Sequence, residues 1–119
     1  MTDQVTDLGG VPVLVCDVDG PPIAATQDAL DLIGACYGAA DTVAVPAGRF
    51  DEQFFRLRTG LAGEIMQKFV NYRIRLVVVG DIAAHTEAST ALRDLVTESN
   101  RGRQIWFVGD LDELAGRLS

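Results

Sequence analysis

Short continuous apolar runs alternate along the chain with stretches in which apolar residues recur at helical spacing. Four runs, over residues 11–16, 41–46, 73–80 and 104–108, are rich in β-branched residues and apolar at successive positions. Runs of this length and composition are typical of strands covered on both faces. Because helical patterns separate them, the alternation predicts crossover connections between parallel strands. We therefore expect an α/β fold with a mixed, mostly parallel sheet of four to five strands and about four helices.

The most regular helical pattern covers residues 60–72, in which Leu61, Ile65, Phe69 and Tyr72 recur every three or four positions. Residues at this spacing share one face of a helix, so these four are predicted to be buried. The opposite face is polar and consists of Glu64, Gln67, Lys68 and Asn71. The pattern predicts a helix that packs one face on the sheet and presents the other to solvent or to a partner.

Three further helices are predicted on either side of this one. Thr26 is a suitable N-cap for the first, which Gly38 ends and which places Tyr37 on its buried face. A second helix precedes the last strand, and Asp110 begins a short C-terminal helix. Residues 81–86 are predicted to form a loop.

The length of 119 residues is that of one domain, so residues 11–119 are expected to share a single core, with residues 1–10 as a flexible tail. The formal net charge of −7 disfavours nucleic acid and membrane surfaces as partners. The first ten residues lack the basic and apolar segments of a secretory signal, so a cytoplasmic location is expected. Cys16 and Cys36 lack the spacing of a metal site and are expected to be free, buried thiols.

Acidic residues follow several of the predicted strands. Asp17 and Asp19 come after the first strand, Asp81 after the third and Asp110 after the last. In open α/β sheets, ligands bind beyond the carboxyl ends of the strands, so these carboxylates are candidates for a site. Aspartate is also a preferred turn and cap residue, so a purely structural role is the alternative.

The sequence VLVCDVDG at residues 13–20 is similar to the first motif of haloacid-dehalogenase-type phosphotransferases. The resemblance implies that Asp17 is a nucleophile and Asp19 a general acid acting on a Mg²⁺-bound phosphate, with Asp110 and Asp112 as further metal carboxylates. Pro21 stands where that family has a threonine. A magnesium-dependent phosphatase-like activity is the alternative function that this segment supports.

A basic segment leads into the most regular helix. Residues 51–75 contain five basic and three acidic residues, although the whole chain is acidic. Thr59 and Gly60 stand at the start of the helix, where backbone amides and the helix dipole favour an anion. With Arg56 and Arg58 beside them, they form a predicted site for an anionic ligand or for the acidic loop of a partner. Arginines that are solvated or paired locally are the alternative.

Residues 54–81, with the sequence FFRLRTGLAGEIMQKFVNYRIRLVVVGD, closely resemble the bacterial domain of unknown function numbered 4180. Residues 98–102 and 28–34 share the resemblance, which covers most of the chain after Ile23. The resemblance implies that the chain is a member of this family, but it implies no activity.

A remoter resemblance is to STAS domains, the fold of anti-sigma-factor antagonists. Those domains place a serine or threonine followed by glycine at the start of a helix after a central strand, and a kinase phosphorylates that hydroxyl. Thr59, Gly60 and Leu61 occupy the comparable place, which implies a STAS-like fold and a protein partner. Arg58 replaces the acidic residue that usually precedes the serine, so phosphorylation of Thr59 does not follow from the resemblance.

The leading hypothesis is a small, non-catalytic, STAS-like regulatory or binding module without metal or cofactor. It recognises a protein partner or a small anionic ligand at the start of the helix over residues 60–72. Its predicted binding residues are Arg56, Arg58, Thr59, Gly60, Glu64, Gln67, Lys68 and Asn71, with Asp81, Glu98 and Asn100 as secondary candidates. The alternative is a small enzyme or ligand-binding protein with a pocket at the strand ends that uses Asp17 and Asp19. A homo-oligomer is compatible with both.

Overall fold

Five strands form one mixed sheet in the computed structural model, which describes residues 3–119. The strands are β1 (Gln4–Leu8), β2 (Val11–Val15), β3 (Thr42–Pro46), β4 (Arg75–Val79) and β5 (Ile105–Val108). Their order in the sheet follows their order in the sequence. β1 pairs antiparallel with β2, and β2 to β5 pair in parallel. The α/β class and the mixed, mostly parallel sheet are confirmed.

Six α-helices within residues 3–119 connect and follow the strands. They are α1 (Thr26–Cys36), α2 (Glu52–Phe55), α3 (Leu61–Asn71), α4 (Ala83–Ala88), α5 (Thr90–Arg101) and α6 (Leu111–Leu118). Single turns of 3₁₀-helix at Ala47–Arg49 and Leu57–Thr59 flank α2. Four of the helices are long, as many as the sequence pattern predicts, and α2 and α4 are short additions.

The larger core lies between the sheet and the connecting helices. Each crossover from β2 to β5 adds the next strand on the same side, and right-handed crossovers in one direction place their helices on one face of the sheet. Alternate strand residues such as Val43, Val45, Leu76 and Val78 therefore pack against Phe69 and its neighbours from the helices. Phe69 is buried, as its position in the predicted helical face requires.

The opposite face of the sheet carries a smaller core. Its strand residues include Val13, Ala44, Val77 and Trp106, and Leu114 of α6 packs on them. α6 is 8 residues long, whereas α3 and α5 on the other face have 11 and 12 residues. The continuous apolar runs of the strands are thus explained by two covered faces, but the cover on this second face comes from one short helix.

The prediction that residues 1–10 form a flexible tail is wrong for residues 4–8, which form β1. Gly9 and Gly10 both have positive φ, 59° and 85°, as the two central residues of a type I′ hairpin turn do. The turn folds β1 back on β2 and pairs Leu8 with Val11. Residues 1–2 of the predicted tail lie outside the described part of the chain.

Three local predictions are also wrong. Residues 83–86, predicted as loop, belong to α4. Tyr37 and Tyr72, predicted to be buried, are 85% and 58% exposed, because each lies just past the end of its helix. Thr26 is the first residue of α1 rather than its cap, and the Asp28 carboxylate accepts hydrogen bonds from the backbone amides at the helix start instead.

Candidate functional site

Thr59 and Gly60 lie exposed at the start of α3. The Thr59 hydroxyl lies 2.7 Å from the carbonyl oxygen of Gln53, to which it donates, and accepts a hydrogen bond from the Leu61 amide at 3.3 Å. The Gly60 amide donates to the Leu57 carbonyl at 3.0 Å. The amides of Gly60 and Leu61, which were expected to bind an anion, therefore already donate to acceptors within the protein. The turn is exposed but does not offer these two amides to a ligand.

The two arginines of the predicted site are exposed but face a different cleft from the polar face of α3. The Arg56 guanidinium lies 3.6 Å from the Glu52 carboxylate in an exposed i,i+4 ion pair. Arg58 lines a cleft shared with Phe55 and His85. His85 is in α4, not in the predicted loop, and its ring stacks on Phe55 with a centroid distance of 4.1 Å. The predicted site is thus divided into two neighbouring surfaces.

The polar face of α3 borders a shallow groove between α3 and the start of α1. The groove is lined by Thr26, Gly60, Gly63, Glu64, Gln67 and Lys68. Gln67 donates to the Asn71 side chain at 2.8 Å, so these two side chains stabilise each other along the helix. A Cβ at Gly60 or Gly63 would meet open space, so the first turn of α3 is unobstructed.

Three of the four strand-end aspartates cap backbone amides, and Asp19 is exposed in the turn after β2. Asp17 accepts from the Asp19 amide at 2.7 Å, Asp81 from the Ala83 amide at 2.9 Å, and Asp110 from the Glu113 amide at 2.8 Å. These are the bonds of turns and helix N-termini. Within residues 3–119, no group of three or more His, Cys, Asp and Glu side chains is arranged to hold a metal ion.

Asn100 and Glu98, the secondary candidates on α5, have separate local roles. The Asn100 side-chain oxygen accepts from the Phe107 amide at 2.7 Å, which satisfies a backbone donor on the edge strand β5. The Glu98 carboxylate lies 3.1 Å from the Arg101 guanidinium on the exposed side of the helix. The two side chains therefore do not contribute to the surface at the start of α3.

Arg49 was not a candidate from the sequence, yet it organises the loop after β2. It is 5% exposed and forms an ion pair with Asp3 at 3.2 Å. It also donates to the Asp17 carbonyl at 3.2 Å and to the Pro21 carbonyl at 3.0 Å. The loop that resembles a phosphotransferase motif is thus wrapped around a buried guanidinium, and its backbone oxygens serve as acceptors.

A second group of arginines lies on the face of the sheet covered by α6. Arg73 and Arg75 belong to the basic segment in the sequence but join Arg103 and Arg117 there, around Trp106. Trp106 lies in β5 and is 6% exposed. The approach of Arg117 to Trp106 depends on how α6 packs, so no spacing in the sequence reports it.

These features define a small α/β domain with one mixed sheet, a helical layer on one face and an exposed turn after the central strand. The family model described as Domain of unknown function (DUF4180) matches residues 8–118. The chain therefore belongs to this family. Neither a search of curated proteins nor a search of solved structures found a match. None of the helices within residues 3–119 is both long and apolar enough to cross a membrane.

Proposed function

We propose that the protein is a non-catalytic, STAS-like binding module that docks a protein partner on the surface at the start of α3. The observation that carries the proposal is the position of Thr59 and Gly60. They lie in the connection from β3, the central strand of the five, to β4, and they directly precede α3, the longest helix of that connection. A hydroxyl residue and a glycine hold the same position in STAS domains, which act through protein partners.

The surface at the start of α3 suits a protein partner better than a small anion. The amides of Gly60 and Leu61 already have acceptors, and Arg56 is paired with Glu52. What is offered is an exposed, mixed polar surface with two glycines in its first turn and with Glu64, Gln67 and Lys68 along the helix. Side chains of both charges on an unobstructed helix face favour a partner with complementary charges.

Gly63 allows a direct test, because a side chain there would project from the docking surface without meeting the protein. The tagged chain would be purified from its own cells after chemical cross-linking. We expect Gly63→Arg and Thr59→Glu to lose the proteins that co-purify with the wild type, because both changes alter the docking surface. Gly34→Arg is the matched control, since Gly34 is an exposed glycine of α1 with open space around it.

Circular dichroism melts would verify that each variant is folded. Loss of the partner from the Gly63 and Thr59 variants, with retention by the Gly34 variant, supports the proposal. Identical co-purifying proteins in all variants would show that the docking surface lies elsewhere.

A further inference from the structure

A cleft of about 680 Å³ lies on the α6 face of the sheet, at the amino ends of β4 and β5. Four arginines line it: Arg73, Arg75, Arg103 and Arg117. Clefts of similar volume occur elsewhere on the protein, so size does not distinguish this one. Its charge distinguishes it, because four of the ten basic residues of a protein with net charge −7 line this cleft. Asp41 is the one acidic residue among the described lining residues.

The two inner arginines are held in place by neutral groups. The Arg75 and Arg117 guanidinium carbons lie 4.2 and 3.9 Å from the centroid of the Trp106 ring. Arg75 also donates to the Arg103 carbonyl at 2.7 Å, and the indole N–H of Trp106 donates to the Gly102 carbonyl at 2.8 Å. An aromatic face and carbonyl oxygens orient a guanidinium without neutralising its charge.

Among the described residues, no carboxylate forms an ion pair with the four arginines of the cleft. The ion pairs within residues 3–119 are formed by Arg49, Arg56 and Arg101, and none by the arginines of the cleft. Burial, and then the nearby charges of Arg117 and Arg103, lower the pKa of Arg75. The protein therefore gathers like charges at a cost, and an anion in the cleft would relieve the repulsion.

The backbone conformation of Arg73 adds a second cost in stability at the arginine cleft. Its amide donates to the Val70 carbonyl and the Ile74 amide to the Phe69 carbonyl, which is the hydrogen-bond pattern of a Schellman motif. The position after the C-cap in that motif is usually glycine, because it requires positive φ. Arg73 has φ 57° and is the only non-glycine residue with positive φ among residues 3–119. The positive φ of Arg73 and the repulsion between the arginines both lower stability, and such costs occur most often at functional sites.

We propose that this arginine cleft binds a small molecule with a diphosphate group, either free or as an ester. Guanidinium groups match the oxygens of phosphate in paired hydrogen bonds, and several negative charges close together are needed to balance four cations. The cleft is within the volume range of small-molecule sites. It lies on the opposite face of the sheet from α3 and is independent of the proposed docking surface.

Trp106 is the only tryptophan of the chain, so its fluorescence reports on this cleft alone. The protein would be titrated with inorganic pyrophosphate and, separately, with ADP, at ionic strength held constant with sodium chloride. We expect a saturable change in emission. Tighter binding of ADP would assign a diphosphate ester, and equal or weaker binding would assign the free group.

Arg103→Gln removes a cation that does not stack on Trp106 and so leaves the reporter intact. It should weaken pyrophosphate binding by about tenfold or more, the loss of one charged hydrogen-bonding group. Arg101→Gln is the matched control, because Arg101 is an exposed arginine two positions away that pairs with Glu98 outside the cleft. It should bind as the wild type does.

Arg73→Gly separates binding from folding. It should weaken pyrophosphate binding by a similar factor while raising the melting temperature by about 2–4 °C, because glycine relieves the positive φ. A variant that is more stable yet binds less tightly cannot have lost binding by unfolding. The proposal is overturned if neither pyrophosphate nor ADP gives a saturable response, if sodium chloride alone reproduces it, or if Arg103→Gln and Arg73→Gly bind like the wild type.

Discussion

The buried guanidinium of Arg49 gives a quantitative test of the loop after β2. Gly20 lies directly against it, and a Cβ added at Gly20 would stand 2.5 Å from the Arg49 guanidinium carbon. The guanidinium is the end of a flexible side chain, but its bonds to Asp3, Asp17 and Pro21 hold it in place. Gly20→Ala must therefore displace either the loop or these bonds, which we expect to cost about 1–3 kcal/mol of stability.

Arg49→Met removes the charge and nearly keeps the volume. It leaves the Asp3 carboxylate, whose side chain is 13% exposed, without its cation, and the expected loss is about 3–5 kcal/mol. In the double variant the alanine at position 20 no longer meets a guanidinium. The double variant should therefore be about 1–2 kcal/mol more stable than the sum of the single losses predicts.

The free energies of unfolding would be measured by urea denaturation at pH 7. Gly48→Ala is the control, because Gly48 lies next to Arg49 in the same turn but a Cβ there meets open space. It should change stability by less than about 1 kcal/mol. If the losses of unfolding free energy for Gly20→Ala and Arg49→Met simply add in the double variant, the loop is not packed on the guanidinium.

Three further outcomes are expected. Gly63→Ala and Gly34→Ala should each raise the free energy of unfolding by about 0.5–1 kcal/mol in urea, because both glycines are helical with open space at the Cβ position; a loss of stability would show that the space is occupied. Burial, with the charge of Asp3, raises the pKa of the Cys16 thiol from 9.0 to about 12. The free energy of unfolding should therefore be constant below pH 9 and fall by about 1.4 kcal/mol per pH unit between pH 9 and 12, because the thiol ionises first in the unfolded chain. Cys16→Ala should remove that one-proton slope from the pH profile, and an unchanged profile would contradict the shift. Asn100→Ala should cost about 1–3 kcal/mol by leaving the Phe107 amide without its acceptor, and a much smaller loss for Asn100→Asp, which keeps an acceptor, is the comparison that checks the cause.

The sequence predicts those parts of the fold that depend on local pattern. The apolar runs at β2 to β5 mark strands because successive side chains enter cores on both faces, as Val43 and Ala44 do. The spacing of Ile65 and Phe69 marks α3 because both residues are buried in one core. β1 was missed although Gly9 and Gly10 carried a signal, since Gly-Gly between apolar residues is typical of a hairpin turn.

The interactions that shape the candidate sites depend on residues far apart in the chain. Arg49 is 46 positions from Asp3 and 32 from Asp17, so nothing around it in the sequence distinguishes it from a solvated arginine. Arg75 and Arg117 approach Trp106 only after β4, β5 and α6 have packed. The division of the predicted site at Thr59 likewise follows from side-chain directions that composition does not encode.

Strand order explains why the strand-end aspartates do not converge on a ligand crevice: the small cleft of about 300 Å³ at the carboxyl ends of β4 and β5 is not lined by Asp17, Asp81 or Asp110. Such a crevice opens where the strand order reverses and neighbouring connections leave on opposite faces of the sheet. Here the order from β2 to β5 never reverses, so the connections stay together, and Asp17, Asp81 and Asp110 are left to cap turns and helices. The same one-directional order leaves the second face to α6 alone. A single short helix covers Trp106 and leaves the amino ends of β4 and β5 open, and the arginines gather at that opening.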